Sequence, residues 1–420
     1  MENHKPLLFG AAAAVRFLLF TVFPSLPSVL TGRVEVSTPV SSFKRLQEGL
    51  FLYTHNVSPY DGGVFHQAPL LLPLFSLLPD PSRYPLLTNL LYIALDLLSA
   101  QALMKVAETG VSVSSLRYTS PRQSSRYSSA AIAAGFLFNP FTIAICIGRS
   151  TSVITNFFIL QAFASAATAR PLTFILALSA AAYLSLYPAL LFPPLAILLY
   201  DQHIRRSGTT PSQGAYTASL AGGVSSAIAA LLGLSRLITG SWQFVASTYG
   251  TPLLLPDLTP NVGLWWYFFI EIFDSFREFF LGVFWLHMGS YVAALTIRLR
   301  KQPLFAAVAM TGIIAIFQPY PSIADSALFL GVVPLYRHVF PLMRYPFLAT
   351  ATLMYATLLG PAFYHLWIYA GSGNANFFYA ITLVWSLALV IVVADLIYAV
   401  VRDEWEVERP DMKGKEARQI

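Results

Sequence analysis

Between Phe363 and Tyr379 the chain reads FYHLWIYAGSGNANFFY, two strongly apolar segments joined by a short turn that carries Asn374 and Asn376. An asparagine side chain brings two donors and an acceptor without bringing a charge. A backbone that leaves its helix inside hydrocarbon must be buried in protein or line a wet cavity, because each unpaired N–H or C=O costs several kcal/mol there. The turn therefore sits at a membrane surface or lines a site, and its two amides are placed to hold something polar. His365 falls one helical turn below it.

Two other turns offer related chemistry. FQPYPSIAD, residues 317–325, carries two prolines that end the flanking helices, so Gln318, Tyr320 and Asp325 project at headgroup depth. STYGTPLLLPDLTPNVGLWWYFF adds Asp257, Thr259, Asn261 and the aromatic run Trp265, Trp266 and Tyr267; a membrane-interface aromatic belt by itself explains the tryptophans. If these turns converge they form a cleft that is apolar below, with a rim of amide, hydroxyl and carboxylate groups. A glycolipid fits such a cleft. Its acyl chains gain about 0.8 kcal/mol per buried CH₂, and neutral hydrogen-bonding groups hold its polar head without a buried charge.

The acidic residues do not assemble into a catalytic pair. Glu35, Glu48, Asp61 and Asp80 are dispersed along the first long loop and read as solvated or capping groups, without the Asp-x-Asp-like pair of multi-spanning lipid-linked glycosyltransferases. Glu271, Asp274 and Glu278 fall at i, i+3 and i+7, which puts three carboxylates on one helix face with Arg277 nearby. A polar face at the membrane surface is preferred over a cation site or proton relay. Arg16, Asp96 and Asp395 interrupt apolar runs and need partners, Arg16 with Asp96 being a structural pairing. His287 reads as a satisfied core histidine. Cys146 is the one cysteine, which rules out an internal disulfide or a cysteine-based metal cluster and reads as a buried structural thiol. No catalytic residue, metal site or cofactor is expected.

With 56% hydrophobic and 11% charged residues over 420 and a mean hydropathy of +0.62, the chain is expected to be an all-α integral membrane protein. Apolar runs at 7–24, 84–105, 129–147, 152–169, 171–186, 188–201, 215–236, 264–297 (long or broken), 303–318, 323–342, 347–369 and 377–401 give about twelve transmembrane helices. The formal charge of +6 is scattered between these runs and not gathered into a patch with interleaved aromatics, so nucleic acid is not a partner. With a cytosolic amino terminus every basic cluster becomes cytosolic: 105–126, Arg205 with Arg206, 298–301, Arg337 with Arg344, and the tail. Both termini then face the cytosol. The loops near 25–83, 237–263, 317–325 and 370–376 face the other side. The chain reads as one polytopic domain, residues 1–405, with a tail at 406–420.

Within the first loop, Phe43, Leu46, Leu50 and Phe51 recur at helical spacing behind Ser41 and Ser42, an amphipathic helix lying in the interface or on the protein's own surface. The 107–128 segment has no apolar period and is expected to be a flexible connector. The charged residues from 402 onward are expected to be disordered beyond a first turn.

SPYDGGVFHQAPLLLPLF, SLYPALLFPP, PDLTPNVGLWWYFF, FQPYPSIADSALF and HLWIYAGSGNANFFYAITL together resemble the PIG-U family, the multi-spanning subunit of the GPI transamidase, over about residues 33 to 405. The resemblance implies an endoplasmic reticulum complex that replaces a protein's C-terminal signal with a glycosylphosphatidylinositol (GPI) anchor. It implies a membrane fold similar to the GT-C-like mannosyltransferases and a non-catalytic role, since the catalytic cysteine belongs to the caspase-like PIG-K subunit. The implied partners are the GPI glycolipid, membrane lipid, PIG-K, PIG-T, PIG-S and a peptidase-like multi-spanning subunit. Asn374 and Asn376 match the family's Asn-x-Asn, associated with GPI headgroup contact, and by extension His365, Tyr320, Asp325 and Tyr267 are placed with them. Asp61 stands where relatives often have a small polar residue. The competing readings are a lumenal mannosyltransferase using dolichol-phosphate sugar, which needs a carboxylate base, and a transporter, which calls for inverted repeats that are not seen.

Overall fold

The structure, a computed structural model, describes residues 5–412 and 414–415; its regular elements there are helical, apart from an isolated antiparallel bridge between Ser114 and Thr119. In chain order the helices are α1 (Lys5–Val22), α2 (Leu26–Thr31), α3 (Phe43–Thr54), α4 (Leu71–Ser76), α5 (Pro85–Thr109), α6 (Ser129–Leu137), α7 (Pro140–Ile147), α8 (Ser152–Ala167), α9 (Pro171–Leu184) and α10 (Phe192–Ser207). They continue as α11 (Gln213–Thr239), α12 (Gln243–Val245), α13 (Thr251–Leu254), α14 (Trp265–Glu271), α15 (Asp274–Arg298), α16 (Pro303–Phe317), α17 (Ile323–Val332), α18 (Pro346–Ile368) and α19 (Ala375–Glu408). Proline opens α5, α7, α9, α16 and α18, where its missing N–H has no helical partner to lose. Ser42, Ser128, Asn139, Ser322 and Asn374 cap α3, α6, α7, α17 and α19 with their side-chain oxygens.

Every apolar run read from the sequence falls on a helix or a broken helix pair. Length and apolarity single out fewer of them as membrane spans: among the described residues seven segments qualify, namely α1, α5, α11, α15, Ile323–Leu342, α18 and α19, with α6 and α7, bent by 53°, as an eighth if they act together. Helices α8, α9 and α16 are apolar but shorter. Of these, α16 is buried from Pro303 to Ile316 and is packed within the protein.

The expected basic segments meet at one end of the molecule. Lys5 pairs with Glu108 at 2.8 Å, Arg300 with Asp201 at 2.7 Å, and Arg205 and Arg206 donate to the carbonyls of Ser114 and Thr168. The opposite end is knit by other loops: Thr151 N–H donates to Ser41 O, Ile323 N–H to Glu35 O, and Arg45 pairs with Asp257 at 3.0 Å.

Several local expectations change. Segment 107–128 is ordered: Ser115 Oγ donates to Lys301 O at 2.5 Å, Tyr118 hydroxyl to Asp403 at 2.7 Å, and Arg122 grips both Asp403 and Glu406. The charges from 402 extend α19 to Glu408, with Arg402, Asp403, Glu404 and Glu406 buried, because each carboxylate has a partner waiting; residues 413 and 416–420 lie outside the described residues. Glu271, Asp274 and Glu278 do not share a helix face, because extended backbone at Ile272 and Phe273 separates α14 from α15. His287 is exposed on α15, its ring against Phe317 and its Nε2 3.1 Å from the Tyr291 hydroxyl, so it is no core histidine. Helix α3 buries Phe43 and Leu46 against the protein while Phe51 stays exposed. Arg16 does meet Asp96, at 2.8 Å and fully buried, and Cys146 is buried. Asp395 accepts the backbone N–H groups of Arg344 and Tyr345 at 2.8 and 2.7 Å, fastening the start of α18 to α19.

Candidate functional site

Helix α18 closes by folding four N–H groups back: Tyr369 and Ala370 donate to His365 O, and Ser372 and Gly373 donate to Leu366 O. The reversal needs glycine twice. Gly371 has φ +63°, and a Cβ on Gly373 would stand 3.1 Å from Trp367 N. Asn374 then takes extended backbone (φ −142°, ψ 171°), and its Oδ1 accepts the Phe377 N–H at 3.2 Å. One Asn is thus committed to starting α19.

Asn376, exposed on the first turn of α19, accepts a hydrogen bond from the Tyr267 hydroxyl of α14. Beneath this pair lies an aromatic box. Trp266, fully buried, stacks on Trp367 (6.1 Å, 18°) and touches Phe378 and Tyr379. Tyr379 lies 4.7 Å from the Tyr267 ring and donates to Leu264 O at 3.0 Å. Each such ring pair contributes about 0.5–1.5 kcal/mol beyond burial, which clamps α14 onto the tip of the α18–α19 hairpin.

Phe378 also lines an apolar cavity of about 290 Å³ with Phe141, Val262, Ile323, Ile381 and Trp385. Its lining includes an ion pair, Arg33 to Glu35 at 2.8 Å, with the Arg33 guanidinium 5.6 Å from the centre of the Tyr364 ring. The combination is an apolar chamber sharing a wall with a hydrogen-bonding tip.

The six residues singled out from the sequence divide. Tyr267 and Asn376 touch, and Asn374 supports them as the cap. Tyr320 and Asp325 line a different recess: the Tyr320 hydroxyl is spent on Asp257 O at 2.7 Å, and Asp325 closes a capping box with Ser322. His365 is exposed and stacks on Tyr369 at 5.5 Å, taking no part in the Tyr267–Asn376 pair. The neighbours Trp265 and Trp266 join the two regions, Trp265 donating to Phe317 O at 2.8 Å. Burial pushes the Asp257 carboxyl up, but its bonds to Thr259 and the charge of Arg45 outweigh that and hold it below the usual carboxylate range.

Sequence reasoning missed Arg33 and the structural use of Asn374. An Asn directly before an apolar helical run is an N-cap signal and was there to be read. Nothing local marks Arg33.

Comparison with known proteins adds a second line. Residues 10–385 match the family described as GPI transamidase subunit PIG-U. The chain is 35% identical over 405 residues to the Saccharomyces cerevisiae protein named GPI transamidase component GAB1, covering 96% of each. It is 36% identical over 420 residues to the human GPI-anchor transamidase component PIGU, covering 95% of this chain and 94% of that one. With the Schizosaccharomyces pombe GPI transamidase component GAB1 homolog the identity is 32% over 425 residues and the full length of both.

Proposed function

The chain belongs to the PIG-U family of GPI transamidase subunits, and from that premise we propose that it recognises the GPI glycolipid and scaffolds the complex without performing the bond-breaking itself. The observation that carries this reading is the Tyr267–Asn376 pair set over the Trp266 box, with the apolar chamber of Arg33, Phe378 and Trp385 on its other side. The chamber takes acyl chain and the tip takes the polar head. A chain whose one thiol is buried leaves the acyl-transfer nucleophile to a neighbour, which fits a caspase-like PIG-K partner, with PIG-T, PIG-S and a peptidase-like multi-spanning subunit completing the assembly.

In this reading the shorter buried helices cross the membrane together with the long ones, giving about twelve crossings in a GT-C-like arrangement. The grouping of basic loops at one end supports cytosolic termini, and the transamidase role of the family puts the hairpin tip in the lumen of the endoplasmic reticulum. Residues 1–405 then form one polytopic domain with the long first loop at 25–83, followed by the tail at 406–420.

The test separates assembly from transfer. Asn376→Ala and Tyr267→Phe chains should co-purify with the other subunits as the unmodified chain does, while anchor transfer in microsomes falls by about tenfold, the worth of one lost hydrogen bond to a charged or polar head. Full transfer in both single variants and in the double variant contradicts the site.

A further inference from the structure

Away from the hairpin, the loops at 38–41, 66–67, 185–188 and 248–252 meet α8, α16 and α17 around a cavity of about 70 Å³, which opens into a wider recess of about 970 Å³ that includes open solvent. In a chain this apolar the lining is unusual. It is rich in hydroxyl and amide groups, it contains one carboxylate, Asp325, and no Lys or Arg stands among its described lining residues.

Three of its side chains are nearly or fully shut from solvent, yet each keeps an atom without a partner among the described residues: His66 (6% exposed) at Nε2, Gln67 (2%) at Oε1 and Tyr187 (4%) at its hydroxyl. The chemistry of two is fixed by what the other end of each does. His66 Nδ1 lies 2.9 Å from Ser247 O, and a carbonyl only accepts, so Nδ1 carries the hydrogen and Nε2 is an acceptor. Burial lowers the His66 pKa, with the Arg45 charge acting the same way, which keeps the ring neutral at pH 7. Gln67 Nε2 donates to Ser42 O at 2.7 Å, so Oε1 is an acceptor as well. Asp325 receives the Ser322 N–H at 2.8 Å and has no basic neighbour among the described lining residues. Buried polar atoms left unpaired cost about 1–3 kcal/mol each.

What satisfies them must donate several hydrogen bonds, and a positive charge offsets the carboxylate. At roughly 10–15 Å³ per water-sized site, the 70 Å³ cavity itself holds about five heavy atoms. We propose that this recess binds a primary ammonium group on a short alkyl arm, its three N–H donors shared among His66 Nε2, Gln67 Oε1, the Tyr187 hydroxyl and Asp325. The recess is distinct from the hairpin, and its test reads amine binding and not anchor transfer, so either assignment fails without the other.

The experiment is equilibrium binding of radiolabelled ethanolamine to the full chain in detergent. One saturable site per chain is expected, with no competition by ethylene glycol, the neutral diol of the same length, or by potassium. Tyr187→Phe removes only a hydroxyl that has no hydrogen-bond partner among the described residues, so the chain keeps its melting temperature while ethanolamine binds about tenfold more weakly. Asp325→Asn, which retains an acceptor for Ser322, weakens binding at least as much. Competition by phosphatidylethanolamine in phosphatidylcholine micelles assigns the amine to a lipid headgroup, and its absence assigns it to a free amine; both support the site. Absence of saturable binding, as water alone in the recess predicts, overturns it. So does equal competition by potassium or ethylene glycol, or undiminished binding to a folded Tyr187→Phe chain.

Discussion

At the scale of single residues, Asn374 and Asn376 look alike in the sequence and do different work. Asn374 Oδ1 holds the Phe377 N–H and starts α19, whereas Asn376 Oδ1 holds the Tyr267 hydroxyl 109 positions away. Substitutions should separate the two. Asn374→Ala removes a cap worth about 1 kcal/mol, while Asn374→Asp keeps the acceptor, losing the amide donors and adding a negative charge that a helix N-terminus favours. In melts of the detergent-solubilised chain, Asn374→Ala should lower the midpoint and Asn374→Asp leave it nearly in place. If both lower it equally, the cap is not what Asn374 supplies. Sequence reasoning reached these residues through the turn and its amides; it did not reach their division of labour, because Tyr267 is brought to Asn376 by packing of Trp266 that no local pattern encodes.

At the scale of elements, what was legible followed period and punctuation. The spacing of Phe43, Leu46 and Leu50 behind Ser42 gave α3, and the apolar runs from 84 and 171 gave α5 and α9, whereas Pro140, which opens α7, lay inside a run read as one helix over 129–147. What failed was either irregular or distant. Ile272 and Phe273 break the helix without proline or glycine, so the three carboxylates near them looked continuous. Segment 107–128 looked unstructured because its order comes from contacts such as Tyr118 to Asp403, 285 positions apart. Buried charge is the element-level device with the clearest consequence. Arg16 of α1 spans Asp96 of α5, at 2.8 Å, and Leu137 O of α6, at 2.9 Å. Asp96→Ala leaves a guanidinium uncompensated and should cost about 3–5 kcal/mol, whereas replacing both partners by apolar residues of similar volume should recover most of that. The melting midpoints of the single and double variants measure this; a double variant as unstable as the single one contradicts the account.

At the scale of the whole molecule, the loops sort into two ends, one held by Arg122, Arg300 and Lys5 with their carboxylates and one carrying the hairpin tip. The proposed topology assigns these ends to opposite sides of the membrane. Cys146 is fully buried, so a second thiol is read against a quiet background. In sealed microsomes a membrane-impermeant maleimide should label Ser124→Cys directly and Ser372→Cys only after permeabilisation, both positions being exposed; simultaneous labelling refutes the arrangement. The claim on which the functional account rests is that the hairpin tip meets the glycolipid. A photoreactive benzoylphenylalanine at Phe377, 54% exposed beside Asn376, tests it most directly in microsomes fed a radiolabelled GPI precursor, with the same group at Leu237, 81% exposed on α11, as the control. The account predicts a radiolabelled adduct at position 377 that Asn376→Ala diminishes and little or none at 237; an adduct at 237 with none at 377 would contradict it.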